Sequence, residues 1–217
     1  MITELTLEQR NLRQRNRIAF FGLCLPVASW ISVFFFGRGV NPIGVLSSIS
    51  ATHYSNGYLL FEGLVIYASS VLWDYEGYDI ADRRLSKLAA IGGFVLSFFP
   101  CSLEGANTWN SVMLVQRVSN IIHLAGALTF FGTLAYIVGF QFPKTGEGMV
   151  VQPKSQKWRR NILYRVCFAV MTVSLVVGFG GSRFIGFPSM VFAGESVALV
   201  ALGIAMLTKG GKIFKDL

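Results

Sequence analysis

Two glutamates and two histidines are the residues of this chain whose chemistry most needs explaining. Glu62 and Glu195 are the acids that fall inside long apolar runs, and His53 and His123 are the two histidines among 217 residues. An ionisable group within such a run is costly to desolvate. It normally faces a bundle interior or water, and it often marks function. A carboxylate beside an imidazole can hold a polar ligand or pass a proton. Two His and two Glu could also complete a Zn or Fe site, with a carboxylate as ligand or general base. No HxxxH, HExxH or ExxH spacing accompanies them.

Neighbouring residues extend the set. Ser119, Asn120 and His123 share one helical face by the i, i+3, i+4 rule. Glu62 shares a face with Tyr58, Ile66 and Ser69. Ser50 precedes His53 by one turn in a Ser-rich, apolar stretch. The candidate ligand-binding residues are therefore His53, Glu62, His123 and Glu195, joined by Ser50 and Asn120.

Three readings of this set stay open. The acids could pair with Arg38, Arg117 or Arg183 and be structural. The set could line a pocket for a lipid, a small molecule or a proton-coupled solute. It could belong to a membrane-embedded Zn or Fe enzyme acting on a lipid-like substrate. An oligomeric channel is a further alternative.

The elements that must position these residues are membrane spans. The chain is 53% hydrophobic and 14% charged, with a mean hydropathy of +0.55, whereas a soluble domain is roughly 25% charged. Nineteen Phe exceed what one small water-soluble core needs. A helix crosses ~30 Å of hydrocarbon with about 20 apolar residues. Six segments qualify: Ile18–Phe36, Tyr58–Trp73, Leu85–Cys101, Ser119–Phe140, Tyr164–Gly180 and Ser189–Thr208. They predict an all-α, polytopic, six-span bundle forming one domain over residues 1–217. Pro26 is expected to kink the first span.

Orientation follows from the basic residues. Arg10, Arg13, Arg15 and Arg17 lie in the N-terminal tail. Arg83, Arg84 and Lys87 follow the second span. Lys144, Lys154, Lys157, Arg159, Arg160 and Arg165 lie in or beside the loop 141–160, and Lys209, Lys212 and Lys215 end the chain. Sixteen of the 19 cations thus fall on one side, leaving Arg38, Arg117 and Arg183 on the other. The split predicts N-in, C-in topology in a cell (inner) membrane, with the His and Glu residues near the outer end. The net charge of +8 is a topology signal and not a nucleic-acid face.

Local signals fill in the rest. Thr6 and Gln9 have capping-box spacing, so residues 1–17 are expected to carry a short interfacial helix. Asp79 and Asp82 suit the first turn of the third helix. Loop 141–160 reads as a cytoplasmic connection whose Lys154, Lys157, Arg159 and Arg160 can touch anionic lipid, with Trp158 as an interfacial anchor. The outer loop 37–57 should tuck back against the bundle as a lid. Ala89, Gly93 and Ser97, and Gly194 and Ala198, are small-residue contact faces. Cys24, Cys101 and Cys167 lack metal or disulfide spacing. Membrane lipids and a second copy of the chain are the expected partners.

The stretch Ser48-Ile-Ser-Ala-Thr-His-Tyr54, with Tyr75-Glu-Gly-Tyr-Asp79, Leu88-Ala-Ala-Ile-Gly-Gly93, Phe99-Pro100 and Arg159-Arg-Asn-Ile-Leu-Tyr-Arg-Val-Cys167, resembles uncharacterised bacterial six-span membrane proteins. That resemblance implies a six-span fold. Ser50, His53 and Glu62 also echo the membrane hydrolase superfamily of alkaline ceramidases and progestin/adiponectin-type receptors, which implies zinc chemistry. This sequence departs from the latter in its shorter Ser-to-His spacing, in Glu as the acid, and in lacking a second histidine beside His123.

Overall fold

The computed structural model describes residues 5–36, 46–101, 114–145, 150–187 and 189–214. Arg38 and the rest of 37–45, part of the expected outer lid, lie outside them. Six long helices follow one another: α1 (Leu7–Phe36), α2 (Tyr58–Trp73), α3 (Ile80–Phe98), α4 (Leu114–Tyr136), α5 (Gln156–Ile185) and α6 (Ser189–Lys209). A 3-10 turn, Ser50–Tyr54, precedes α2, and a π-helical turn, Ile137–Gln141, closes α4. The described residues contain no strand.

Four helical segments are long and apolar enough to cross a membrane: Leu7–Phe35, Gln116–Gln141, Gln156–Ile185 and Ser189–Lys209. The 16-residue α2 is shorter, and α3 opens on Asp82, Arg83 and Arg84. These apolar helices are compatible with an integral membrane protein.

Helices α1, α3, α4 and α5 all start earlier than the apolar runs suggest, α1 and α5 by the most. The Thr6–Gln9 capping box forms, with Gln9 N–H donating to Thr6 Oγ1 and Thr6 N–H to Gln9 Oε1. It opens α1 itself and not a separate interfacial helix, and α1 continues through Pro26. Helix α5 begins at Gln156 behind an N-cap at Ser155, so the last residues of loop 141–160 are helical. At α3, Asp79 is the N-cap, and its Oδ1 accepts from Asp82 N–H at 2.7 Å.

Large exposed hydrophobics, among them Phe20, Phe34, Leu128, Val176 and Phe184, cover the outside of the bundle. Its interior holds Phe21, Phe61, Phe130, Met171 and Leu199. Helices packed in lipid gain little from hydrophobic burial and rely on close contact. At the α3–α4 crossing a Cβ on Gly92 would lie 2.8 Å from the Gly126 carbonyl oxygen, and at α5–α6 one on Gly194 would lie 2.4 Å from the Ser174 carbonyl oxygen. Side chains larger than hydrogen would push these backbones apart. The first crossing matters for function, because His123 sits one turn before Gly126.

Candidate functional site

The α3–α4 contact seats His123. Helix α3 ends at Phe98, and the last carbonyls of a helix have no partner within it. His123 Nδ1 fills that gap, lying 3.0 Å from Leu96 O and 2.7 Å from Phe99 O. Both neighbours are acceptors, so Nδ1 carries the proton. Nε2 is left with its lone pair, and it accepts from the Ser50 hydroxyl at 3.0 Å. Both residues are buried.

Ser50 reaches His123 because its segment folds inward. Leu46, Ile49, Thr52 and Ser55 are buried, which realises the expected tuck over the described part of the loop. Two bonds to α6 hold it there. Phe192 N–H donates to Ser47 O at 2.9 Å, and Ile49 N–H donates to Glu195 Oε2 at 2.7 Å. Glu195, 5% exposed, thus latches the loop through its backbone.

His53 and Glu62 form a second, more open pair, with Nδ1 and Oε1 2.7 Å apart and about a quarter of each side chain exposed. His53 lies near enough to His123 for the two rings to influence one another electrostatically. The candidates therefore resolve into a buried group, Ser50, His123 and Glu195, beside the His53–Glu62 pair. Neither acid takes an arginine in the contacts just described. Asn120 is half-buried on α4, and Ser119 Oγ donates to Pro100 O at 3.0 Å. Among the described residues no three His, Cys, Asp or Glu side chains come together as a metal set. The four-donor Zn or Fe arrangement is not assembled among them: His53 meets Glu62, whereas His123 meets two carbonyls and the Ser50 hydroxyl, and Glu195 meets the Ile49 amide.

Ser50 and Glu195 line a cavity of about 20 Å³ with Phe21, Phe61, Ala127 and Phe131. A much larger cleft of about 430 Å³ opens between α4 and α5, lined by Leu124, Leu128, Gly132, Leu175, Val176 and Phe179. Ala127 and Phe131 belong to both. These two residues therefore border both the apolar cleft and the small cavity onto which Ser50 and Glu195 open.

No family model, curated protein or solved structure matches this chain at a significant level. The functional reading rests on this geometry.

The opposite end of the bundle holds residues whose chemistry the sequence pattern did not single out. Arg15 is 1% exposed. Its Nε and Nη2 donate to Tyr75 Oη at 2.9 and 2.7 Å, and Nη1 donates to Tyr78 Oη and Lys209 O at 3.2 Å each. Asn11 Nδ2 donates to Gly77 O at 3.0 Å. Burial pushes the Tyr75 phenol up from its ordinary range, and the Arg15 charge opposes that shift. The signal was present: Asn11 and Arg15 continue the buried face of Ile18, Gly22 and Leu25 at helical spacing. Of the expected lipid contacts, Lys154 and Arg159 are exposed, while Lys157 and Arg160 are half-buried. Lys157 Nζ donates to Lys144 O at 2.9 Å.

Proposed function

We propose that this is a six-span, N-in, C-in integral membrane protein of the cell membrane that binds a lipid near its outer face. The lipid's apolar chain would occupy the α4–α5 cleft, and its polar group would reach Ser50, His123 and Glu195. The observation that carries this reading is the border that Ala127 and Phe131 form between the cleft and the small cavity lined by Ser50 and Glu195. Ligand sites commonly join an apolar surface to a few convergent polar groups. The 16-to-3 distribution of cations supports the orientation.

Gly132 supplies the test. A Cβ there would meet nothing within 4 Å, so Gly132→Phe should fill the cleft without disturbing the bundle. Native mass spectrometry of wild-type protein should show a retained lipid, and a lipid with a photoreactive acyl chain should label α4 and α5. Gly132→Phe should lose both signals while unfolding at the wild-type temperature. Equal labelling of the variant would remove the proposal.

A hydrolytic role is the second reading, and the Ser50–His123 contact favours it. A serine hydroxyl facing an imidazole lone pair, with the other ring nitrogen fixed by carbonyls, is the geometry of an activated nucleophile. Attack on a lipid ester would form an Oγ–carbon bond while the hydroxyl proton passes to Nε2. That proton would then leave with the alcohol, and water would release the acyl group by the reverse sequence. A fluorophosphonate probe should label Ser50 and spare His123→Ala protein. An unlabelled wild-type chain that still retains lipid would leave binding alone.

A further inference from the structure

At the end of the bundle opposite His123, two cations sit beside one another, and among the described residues no acid lies between them. Arg15 Cζ lies 4.8 Å from the Tyr78 ring centre, and Lys209 Nζ lies 5.1 Å from the same centre. Lys209 is also 5.2 Å from the Phe142 ring and 5.9 Å from the Tyr164 ring. Aromatic faces attract cations, yet they cannot neutralise them. Among the described residues no carboxylate lies within 4.0 Å of either cation; the ion pairs found are His53–Glu62, Arg83–Glu76 and Lys144–Asp79. The charges of Lys157 and Arg160 also bear on Lys209, as does the opposite charge of Asp82.

Among the described residues, the donors are not all spent. An ammonium carries three N–H groups, and Lys209 Nζ places one on a protein acceptor, Phe142 O at 3.0 Å. The π-helical turn presents that carbonyl, since Phe142 N–H bonds back to Ile137 O and not one residue nearer. Tyr78 covers the pair from outside. Its residue is 67% exposed, and its hydroxyl is bonded to Arg15. Gly77, at φ +65°, makes the turn that lays the ring there.

We infer that this cluster is a binding site for a phosphate group, with Arg15 and Lys209 at its centre, Lys157 and Arg160 at its rim, and Tyr78 as a movable cover. A phosphate offers several acceptor oxygens and up to two charges, which suits a guanidinium fork beside an ammonium. On swinging aside, the Tyr78 hydroxyl would release an Arg15 N–H to the ligand. The phosphate could belong to an anionic lipid headgroup or to a soluble phosphate. The site is separate from the lipid cleft proposed above.

The test uses the full chain in nanodiscs, read by thermal unfolding. One arm compares phosphatidylcholine discs with discs that also contain phosphatidic acid. The other adds inorganic phosphate to phosphatidylcholine discs, against chloride at equal ionic strength. A saturable rise in unfolding temperature with phosphatidic acid alone assigns a headgroup, and a rise with inorganic phosphate assigns a soluble source. No rise in either arm overturns the inference. Because Arg15 also holds the fold, Lys209→Gln is the decisive variant. It should fold and weaken binding about tenfold, the scale of one lost charge-assisted bond. Tyr78→Phe should bind as tightly as wild type or more so, since no hydroxyl competes for Arg15. Unchanged affinity in Lys209→Gln, or lost binding in Tyr78→Phe, would refute the site.

Discussion

The two ends of the bundle solve one problem in opposite ways. At the histidine end, each group that could carry charge has protein hydrogen-bonding partners: His53 has Glu62, His123 has two carbonyls and a hydroxyl, and Glu195 has a backbone amide. At the basic end, Arg15 and Lys209 rest on aromatic rings and phenolic oxygens, with no carboxylate against either among the described residues. Several amide oxygens there, on Asn11, Asn16, Gln141, Gln156 and Asn161, are buried and reached by no protein donor among the described residues. Buried polar atoms are nearly always satisfied. The Ser29 and Thr52 hydroxyls, toward the histidine end, are likewise reached by no partner among the described residues, so the ends differ in what holds their charged groups and not in how many polar atoms are left over.

The largest expected effect lies at the basic end. Arg15→Ala removes every donor to Tyr75 Oη in this arrangement and one to the Lys209 carbonyl, leaving buried acceptors unmatched. Each such loss costs roughly 1–3 kcal/mol, so the variant should lose about 3 kcal/mol of unfolding free energy in detergent. Arg15→Lys should recover only part of this, because a point charge cannot bridge oxygens arranged for a planar fork. Full stability in Arg15→Ala would mean that the cluster does not tie α1 to the α2–α3 turn.

At the histidine end the costs should be graded and the lipid readout sharper. His123→Leu strands the Leu96 and Phe99 carbonyls and the Ser50 hydroxyl, for about 2 kcal/mol. Ser50→Ala removes one neutral hydrogen bond, for about 1 kcal/mol. Both variants should nevertheless fold, and both should retain less lipid. If Ser50→Ala destabilised the protein more than Arg15→Ala, the contrast between the ends would be reversed.

The same contrast explains what could be read from sequence. Apolar runs located all six helices, because lipid-facing and buried residues raise hydropathy alike. Hydropathy missed the polar starts of α1 and α5, since a helix continues past the apolar zone whenever its caps are satisfied, as Thr6, Gln9 and Ser155 do. His123, Glu62 and Glu195 stood out because their types are rare in apolar segments. Ser50 and His53 stood among the candidates, but the pairings were not legible: Ser50 lies 73 residues from His123, and Ile49 contributes a backbone amide that no side-chain pattern reveals. Arg15 was hidden by abundance, as one of four arginines in a tail where positive charge already had a topological explanation. Only its register with Ile18 and Gly22 set it apart from Arg10, Arg13 and Arg17.

The smallest expected effect separates a cap from a charge at the margin of the basic end. Asp79 accepts from Asp82 N–H and lies 3.2 Å from Lys144 Nζ. The amide and then the lysine hold its carboxyl below the ordinary carboxylate range. A depressed pKa means that the folded state favours the charged form. The contribution is therefore complete above the unfolded value, near pH 4, and fades as the pH falls through the lower folded value. Asp79→Ala should cost about 1 kcal/mol at neutral pH, the usual worth of an N-cap, and should converge on wild type in acid. Asp79→Asn keeps the cap and removes the charge. Exposed ion pairs are worth about 0–1 kcal/mol, so Asn should lose only a few tenths of a kcal/mol and show a flatter pH profile. If Asn were as damaging as Ala, the charge would be holding the α2–α3 turn. In that case the basic end would depend on its few acids as closely as the histidine end does, and the difference between the two would be one of degree.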